Sequence, residues 1–191
     1  MKNILFLGYK KNKTKIISFL KKKKFNVIEF GNRKITDSTF KKNFTLVISF
    51  GYKKIINPSV IKRFKRPIIN LHISYLPFNR GAHPNFWSFI ENTPKGVSIH
   101  EIDENIDTGP VVVKKKVIFK NLNKHTLKST YEVLFKEIEN LFIKNFSRIL
   151  KKKYKKKFSK SKGSIHFKKD FPKKIKNWKI KIYDLKQTFY R

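Results

Sequence analysis

INLHISYLPFNRG, from Ile69 to Gly81, is an apolar strand broken by two polar side chains and closed by a loop containing Pro77. Asn70 and His72 are two residues apart, so on a strand both project to one side. Further on, IHEIDENIDTGP, from Ile99 to Pro110, is a second strand running into an acidic loop that carries Asp107. Placing these two stretches in a fold decides how the rest of the chain is read.

Working back from Ile69, the chain alternates short apolar runs with helical patterns. Asn3 to Leu7 ends at Gly8 and reads as a buried strand. Thr14 to Lys23 puts Ile16, Ile17, Phe19 and Leu20 on one helical face. Phe25 to Phe30 is a second strand stopped by the turn pair Gly31-Asn32, and Leu46 to Phe50 a third, ending at Gly51. Pro58 opens a helix with Val60, Ile61 and Phe64 on one face, and Pro67 breaks the chain before the strand Ile68 to Ile73. Forward from it come a short aromatic helix between Ala82 and Asn92, then strands over Gly96 to Ile102 and Pro110 to Phe119. Thr126 to Leu150 is a long amphipathic helix, with Leu127, Tyr131, Leu134, Phe135, Ile138, Phe142 and Phe146 along one stripe. Strand, helix, strand with few polar positions inside the strands predicts an α/β fold, a Rossmann-like, mainly parallel twisted sheet with helices on both faces. Such sheets hold ligands beyond the carboxyl ends of their strands, which is where Asn70 and His72 fall.

Residues 1–150 read as one catalytic domain, 151–162 as a lysine-rich linker, and 163–191 as an extension packed back on the domain. Its aromatics, among them Phe167, Trp178 and Tyr183, are too many for plain disorder. No apolar run is long enough to span a membrane. The opening MKNILFLGYKK has an apolar run too short for a secretory leader. With no cysteine there is neither disulfide framework nor thiolate chemistry, and the cytoplasm is the expected location. The net charge of +35 invites a nucleic-acid reading. Yet 41 lysines stand against six arginines and a single alanine, Ala82, among many Phe, Ile and Asn, the mark of an AT-rich genome. An RNA partner is kept as the alternative.

Moving an acyl group to an amine needs donors for the carbonyl oxygen that becomes negative, a base for the amine proton, and a partner that orients the base. Asn70 supplies amide donors, His72 an imidazole, and Asp107 a carboxylate that holds the imidazolium or accepts the amine proton through water. The same residues also read as a strand-end cap with Asp107 serving a turn at Thr108-Gly109, and residue types alone leave both readings open. Pro77 and Gly81 favour the first, because they give the loop a rigid wall and a backbone path that a side chain would obstruct. The five histidines show no close metal-ligand pair, so no metal is expected. Gly8-Tyr9-Lys10-Lys11 lacks phosphate-loop glycine spacing, and no serine sits in a glycine elbow.

With these motifs in place, residues 69–81 and 96–113 resemble the core of the formyltransferases that use 10-formyltetrahydrofolate. The likeness lies in Asn70 and His72, in Ser74-Tyr75-Leu76-Pro77, which departs from the family's Ser-Leu-Leu-Pro at Tyr75, in Gly96-Val97-Ser98-Ile99-His100, in Asp103, and in Ile106-Asp107-Thr108-Gly109-Pro110. It covers about residues 45–120 well and the rest only in element order. The resemblance implies formyl transfer to a primary amine through a tetrahedral intermediate, with Asn70, His72 and Asp107 catalytic and 10-formyltetrahydrofolate as donor.

It also implies a pterin pocket between two loops, formed by Ser49, Phe50, Gly51, Tyr52, Lys53 and Ile55 on one side and Asp103 and Glu104 on the other. Asn79-Arg80-Gly81, with Trp87 behind it, is similar to sugar-nucleotide N-formyltransferases rather than to the methionyl-tRNA enzymes, whose separate C-terminal barrel has no counterpart here. The implied amine is therefore a nucleotide-linked amino sugar, contacted by Ser74, Tyr75, Asn79, Arg80, Gly81 and Trp87. Core packing is the competing account of Phe86, Trp87 and Phe89. A methionyl-tRNA-directed enzyme, or an RNA-binding module on this fold, is the alternative. No membrane partner is expected, and a homodimer is left open.

Overall fold

The computed structural model describes residues 1–159 and 161–189. Its frame is a six-stranded sheet of β1 (Asn3–Gly8), β2 (Asn26–Gly31), β3 (Leu46–Phe50), β4 (Ile68–His72), β6 (Gly96–Glu101) and β7 (Val111–Lys116), in the order β2-β1-β3-β4-β6-β7. The three pairings from β2 to β4 are parallel and the two that add β6 and β7 are antiparallel. The parallel half follows the strand–helix rhythm of the sequence. The antiparallel half arises because β4 turns into the 73–81 loop and the short helix α3 (Pro84–Ile90) instead of crossing back over the sheet.

Alternation along the strands sorts side chains to two faces. Ile4, Phe6, Leu46, Ile48, Phe50, Ile69, Leu71, Val97 and Ile99 pack on α1 (Lys15–Lys22) and α4 (Leu127–Leu150). Leu5, Leu7, Val47 and Ile68 pack on the opposite side against Val60, Ile61 and Phe64 of α2 (Pro58–Arg63) and its flanks. Asn70 and His72 therefore face the α2 side. Thr14 caps α1, accepting from the Ile16 amide at 3.2 Å. The buried Glu139 of α4 accepts from the Thr14 hydroxyl at 2.7 Å and the Lys15 amide at 2.8 Å, an anion at a helix N-terminus. That contact pins the two helices together.

The segment read as a linker is fastened to the sheet. Lys157 exchanges backbone hydrogen bonds with Val111 at 2.8 and 3.1 Å, and Tyr154 and Lys156 both reach the buried Glu101, at 2.8 and 2.6 Å. Beyond it, β8 (Ile165–His166) pairs in parallel with β5 (Arg80–Gly81) as a second, two-stranded sheet. Ile175, Ile182 and Leu185, the last two on α5 (Ile182–Phe189), then bury Phe86, Phe89 and Leu127. Lys160 of the linker and Tyr190 and Arg191 of the extension lie outside the described residues.

Phe86 is fully buried, with its ring 4.9 Å from those of Trp87 and Phe171 and 5.6 Å from that of Phe189. Replacing it with Ala should lower unfolding free energy by about 3–5 kcal/mol, the usual result of emptying an aromatic core site. Urea unfolding monitors this. A loss below about 1 kcal/mol would mean that the second core contributes little to stability.

Candidate active site

Register brings the polar side chains into a row. Ser49 of β3 is opposite Asn70 of β4, and Asn70 is opposite His100 of β6. Asp107 reaches this row from the 102–110 loop with its backbone in the left-handed region, φ 53°. Its Oδ1 accepts from Asn70 Nδ2 at 3.1 Å and lies 3.3 Å from His100 Nε2. Its Oδ2 accepts from the Gly81 amide at 2.8 Å and lies 3.5 Å from His72 Nδ1. Asn70, His72 and Asp107 thus meet at one point.

His100 belongs to the same cluster, although the sequence reading left it as a strand residue. Its Nδ1 is 2.8 Å from the Glu101 carbonyl oxygen, which only accepts, so Nδ1 carries hydrogen. In the neutral ring Nε2 is then free to accept from Asn70 Nδ2 at 3.0 Å. Both Asn70 N–H groups are in this way occupied by protein. A signal for His100 was present in Val97-Ser98-Ile99-His100: polar residues alternate with apolar ones in a strand buried throughout, so one face is polar.

The charges follow from burial. Burial favours a protonated Asp107, but the two histidines and the Gly81 N–H outweigh it and hold the carboxyl far below its ordinary range. Burial holds His72 below the ordinary imidazole value; attraction to Asp107 only partly opposes it. His72 Nε2 lies 3.3 Å from the Asn79 carbonyl oxygen. Both neighbours of His72 are acceptors, so the surroundings match an imidazolium while burial keeps the resting ring uncharged.

Segment 79–82 lies between this cluster and the C-terminal strand. Asn79 offers its carbonyl to His72, and Gly81 its amide to Asp107. Behind them the Arg80 amide donates to the Ser164 carbonyl at 2.9 Å and the Ala82 amide to the His166 carbonyl at 2.8 Å. Gly81 has φ +83°, and a Cβ there would overlap the His166 carbonyl oxygen. Glycine is required on both counts.

Several residues read as substrate contacts also have protein partners, and Arg80 Nε and Trp87 Nε1 are buried without a hydrogen-bond partner. Asn79 is fully buried; its Nδ2 donates to Glu91 at 2.9 Å, and its Oδ1 accepts from the Thr93 hydroxyl at 2.6 Å. Ser74 donates its hydroxyl to the Phe78 carbonyl. The Tyr75 ring lies 4.1 Å from Lys114 Nζ, Arg80 donates to the Lys162 carbonyl at 3.1 Å, and the Trp87 ring stacks on His166 at 4.0 Å. Nothing in the spacing of the tail signals that Ser164 and His166 complete this network.

Phe50, the last residue of β3, is core, and in the loop after it Tyr52 donates its hydroxyl to the Arg33 carbonyl at 2.7 Å. The Lys53 amide donates to Asn32 at 2.8 Å, and a Cβ on Gly51 would overlap the Tyr9 ring. Ile55 stands 83% exposed. Across from this loop Asp103 accepts from the Asn105 amide and the Thr108 hydroxyl, and Glu104 pairs with Lys62 at 3.1 Å. Among the described residues no group of three or more His, Cys, Asp or Glu side chains is placed to hold a metal ion.

A sheet of this order with Asn70, His72 and Asp107 joined at its carboxyl edge is the architecture of a group transferase, and the sequence model described as formyl transferase matches residues 2–144. The chain belongs to that family. It is similar to the formyltransferase PseJ from Anoxybacillus kamchatkensis, solved in complex with UDP-4,6-dideoxy-4-formamido-L-AltNAc and tetrahydrofolate. The two share 38% identity and a TM-score of 0.87, over 96% of this chain and 97% of that one. It is also similar to the dTDP-4-amino-4,6-dideoxyglucose formyltransferase of Mycobacterium tuberculosis, 40% identical over 48 residues, 25% of this chain and 20% of that protein. A methionyl-tRNA formyltransferase of Thermodesulfovibrio yellowstonii is 40% identical over 65 residues, 34% of this chain and 21% of the relative. The matched stretches span about a fifth of each of these two relatives.

Two outcomes are expected. Gly81→Ala should cut turnover by about two orders of magnitude, the scale of losing a preorganised group in an active site, because the amide that holds Asp107 moves; steady-state kinetics reads it, and unchanged turnover would refute the clamp. His72, with its folded pKa depressed, contributes stability that is present above its unfolded value of about 6.5 and is lost as pH falls through the folded one. Thermal melts between pH 7 and 5 should therefore show a steeper decline for the wild type than for His72→Gln, and equal slopes would contradict it.

Proposed function

We propose that this protein transfers a formyl group from 10-formyltetrahydrofolate to the primary amine of a nucleotide-linked amino sugar. The observation that carries the reading is one buried carboxylate, Asp107, gathering Asn70, His72 and His100 at the carboxyl edge of the sheet. The likeness to PseJ, which extends over nearly the whole of both chains, supports the sugar-nucleotide class of acceptor.

We place the donor between the 49–55 and 103–107 loops. Ile55 is an exposed apolar side chain there, while Phe50 packs in the core, the Tyr52 hydroxyl bonds the Arg33 carbonyl and the Lys53 backbone amide bonds Asn32. When bound, 10-formyltetrahydrofolate supplies the formyl carbon. His72, uncharged at rest, would take up the proton that the amine loses and return it to the folate nitrogen as the bond from that nitrogen to the formyl carbon breaks. The imidazolium then has an acceptor at each nitrogen, Asp107 and the Asn79 carbonyl. Asn70 answers the oxygen that gains charge, and one of its N–H groups leaves Asp107 or His100 to do so. Asp107 remains an anion throughout.

We place the protein in the cytoplasm, in line with its lack of cysteine; no described helix is long and apolar enough to cross a membrane. Incubation with 10-formyltetrahydrofolate and a panel of nucleotide-linked amino sugars should release tetrahydrofolate. A folded protein that binds folate and formylates none of them would refute the acceptor class, and failure to bind folate would refute the donor. Asp107→Asn and His72→Ala should each lower turnover by about two or more orders of magnitude, while folate affinity changes little. Near-normal turnover in Asp107→Asn would overturn these roles.

A further inference from the structure

Glu91 is placed for more than surface charge. It closes α3, its amide donating to the Trp87 carbonyl at 2.8 Å. The chain carries 47 lysines and arginines against 12 acidic residues. Yet among the described residues no lysine or arginine pairs with this carboxylate. Its Oε2 accepts instead from Asn79 Nδ2 at 2.9 Å and from the Ser164 hydroxyl at 2.8 Å, and its Oε1 lies 2.7 Å from His166 Nε2. One of these partners comes from the loop after β4 and two from the docked tail.

Asn79, the loop partner, is held at both ends. Its Oδ1 accepts from the Thr93 hydroxyl at 2.6 Å, and its backbone amide donates to the Ser164 hydroxyl at 3.0 Å. The residue is fully buried, with φ 54°. Its carbonyl oxygen is left to face the site, 3.3 Å from His72 Nε2. An imidazole that takes up a proton has two N–H groups to satisfy, and Asp107 lies at the other one. The Asn79 carbonyl is thus the second acceptor of the charged ring, and a small rotation of its peptide would withdraw it.

We propose that Glu91 is a positioning residue for His72: by gathering Asn79, Ser164 and His166, its carboxylate holds the Asn79 carbonyl at Nε2 of the base. The proposal rests on the part given to His72 in the reaction above. Phe86 and Phe89 fix α3 in the second core, so the carboxylate is carried by a rigid helix. Groups that act in a reaction need placing to within about 0.5 Å, and hydrogen bonds to their neighbours do the placing. The Glu91 link also makes the base sensitive to how residues 164–166 dock.

The pH dependence of kcat tests this. Neutral His72 is the active form, so kcat falls on the acid side as the ring protonates, and the Asn79 carbonyl favours the protonated ring. The titratable groups that face His72, Asp107 and His100, are left in place by substitutions at Glu91. Glu91→Gln should therefore move the acid limb down by about 0.5 pH unit, roughly a threefold loss of proton affinity. It should lower the plateau kcat about tenfold, the scale of a slightly misplaced group, with tetrahydrofolate affinity and acceptor KM unchanged. Ser164→Ala, which removes one of the three partners, should move the limb the same way by less, and it carries the test alone if Glu91→Gln does not fold. An acid limb where the wild type has it, with or without a lower melting temperature, would overturn the proposal and make Glu91 a fastener of the tail only. NMR titration of the His72 ring, assigned by its loss in His72→Gln, reads the same shift without substrate. A lowered midpoint in a protein that formylates no amino sugar would sustain the positioning and sink the reaction, and an unchanged midpoint would overturn the positioning whatever the reaction.

Discussion

One buried anion organises this molecule. The Asp107 carboxylate is drawn out of water into the middle of four donors or potential donors, from β4, β6 and the 79–82 segment. A lone carboxylate buried in this way would simply take up a proton. Here the Gly81 N–H and the Asn70 amide are fixed by the backbone, so the anion is satisfied before any ligand arrives. Burial keeps His72 uncharged and able to accept a proton, although the carboxylate beside it pulls the other way. Three different elements must be positioned correctly for this to hold, so the chemistry reports on the whole sheet edge.

That requirement explains the C-terminal strand. A two-residue strand has little stability alone. β8 is nevertheless held where it is, because the aromatic and aliphatic residues that follow it fill a second core with Phe86, Phe89 and Leu127. The core anchors β8, β8 fixes segment 79–82, and that segment fixes both His72 and Asp107. Packing far from the site is thereby converted into geometry at the site, with backbone hydrogen bonds as the link. The residues that do this come from the part of the chain that looks least like an enzyme.

The parts of this arrangement that could be read from the sequence are those with a local signal. β1, β3 and β4 are apolar runs with glycine or proline at their ends, and α4 carries its stripe over 24 residues, so each element announces itself. Asn70 and His72 stand out because polar residues in such strands need a reason. His100 is equally polar and equally buried, but its meaning depends on being opposite Asn70 across an antiparallel pair, and register is a long-range property. Asn79 and Arg80 sit in a motif that resembles a substrate loop, yet their side chains turn to Glu91, Ser164 and Lys162. Only the docked tail decides that, and the tail's two-residue strand is too short to carry a periodic pattern.

The net charge of +35 is the feature most open to over-reading. Among the described residues the ion pairs involve only a few of the lysines, whereas the cluster at the sheet edge is built around a negative group. A positive field over such a surface raises the local concentration of any polyanion. Folates bear carboxylates and sugar nucleotides bear a diphosphate, so both proposed ligands gain from that field without any lysine having to recognise them. Direction comes instead from the buried Asp107 cluster, whose donors are fixed in place.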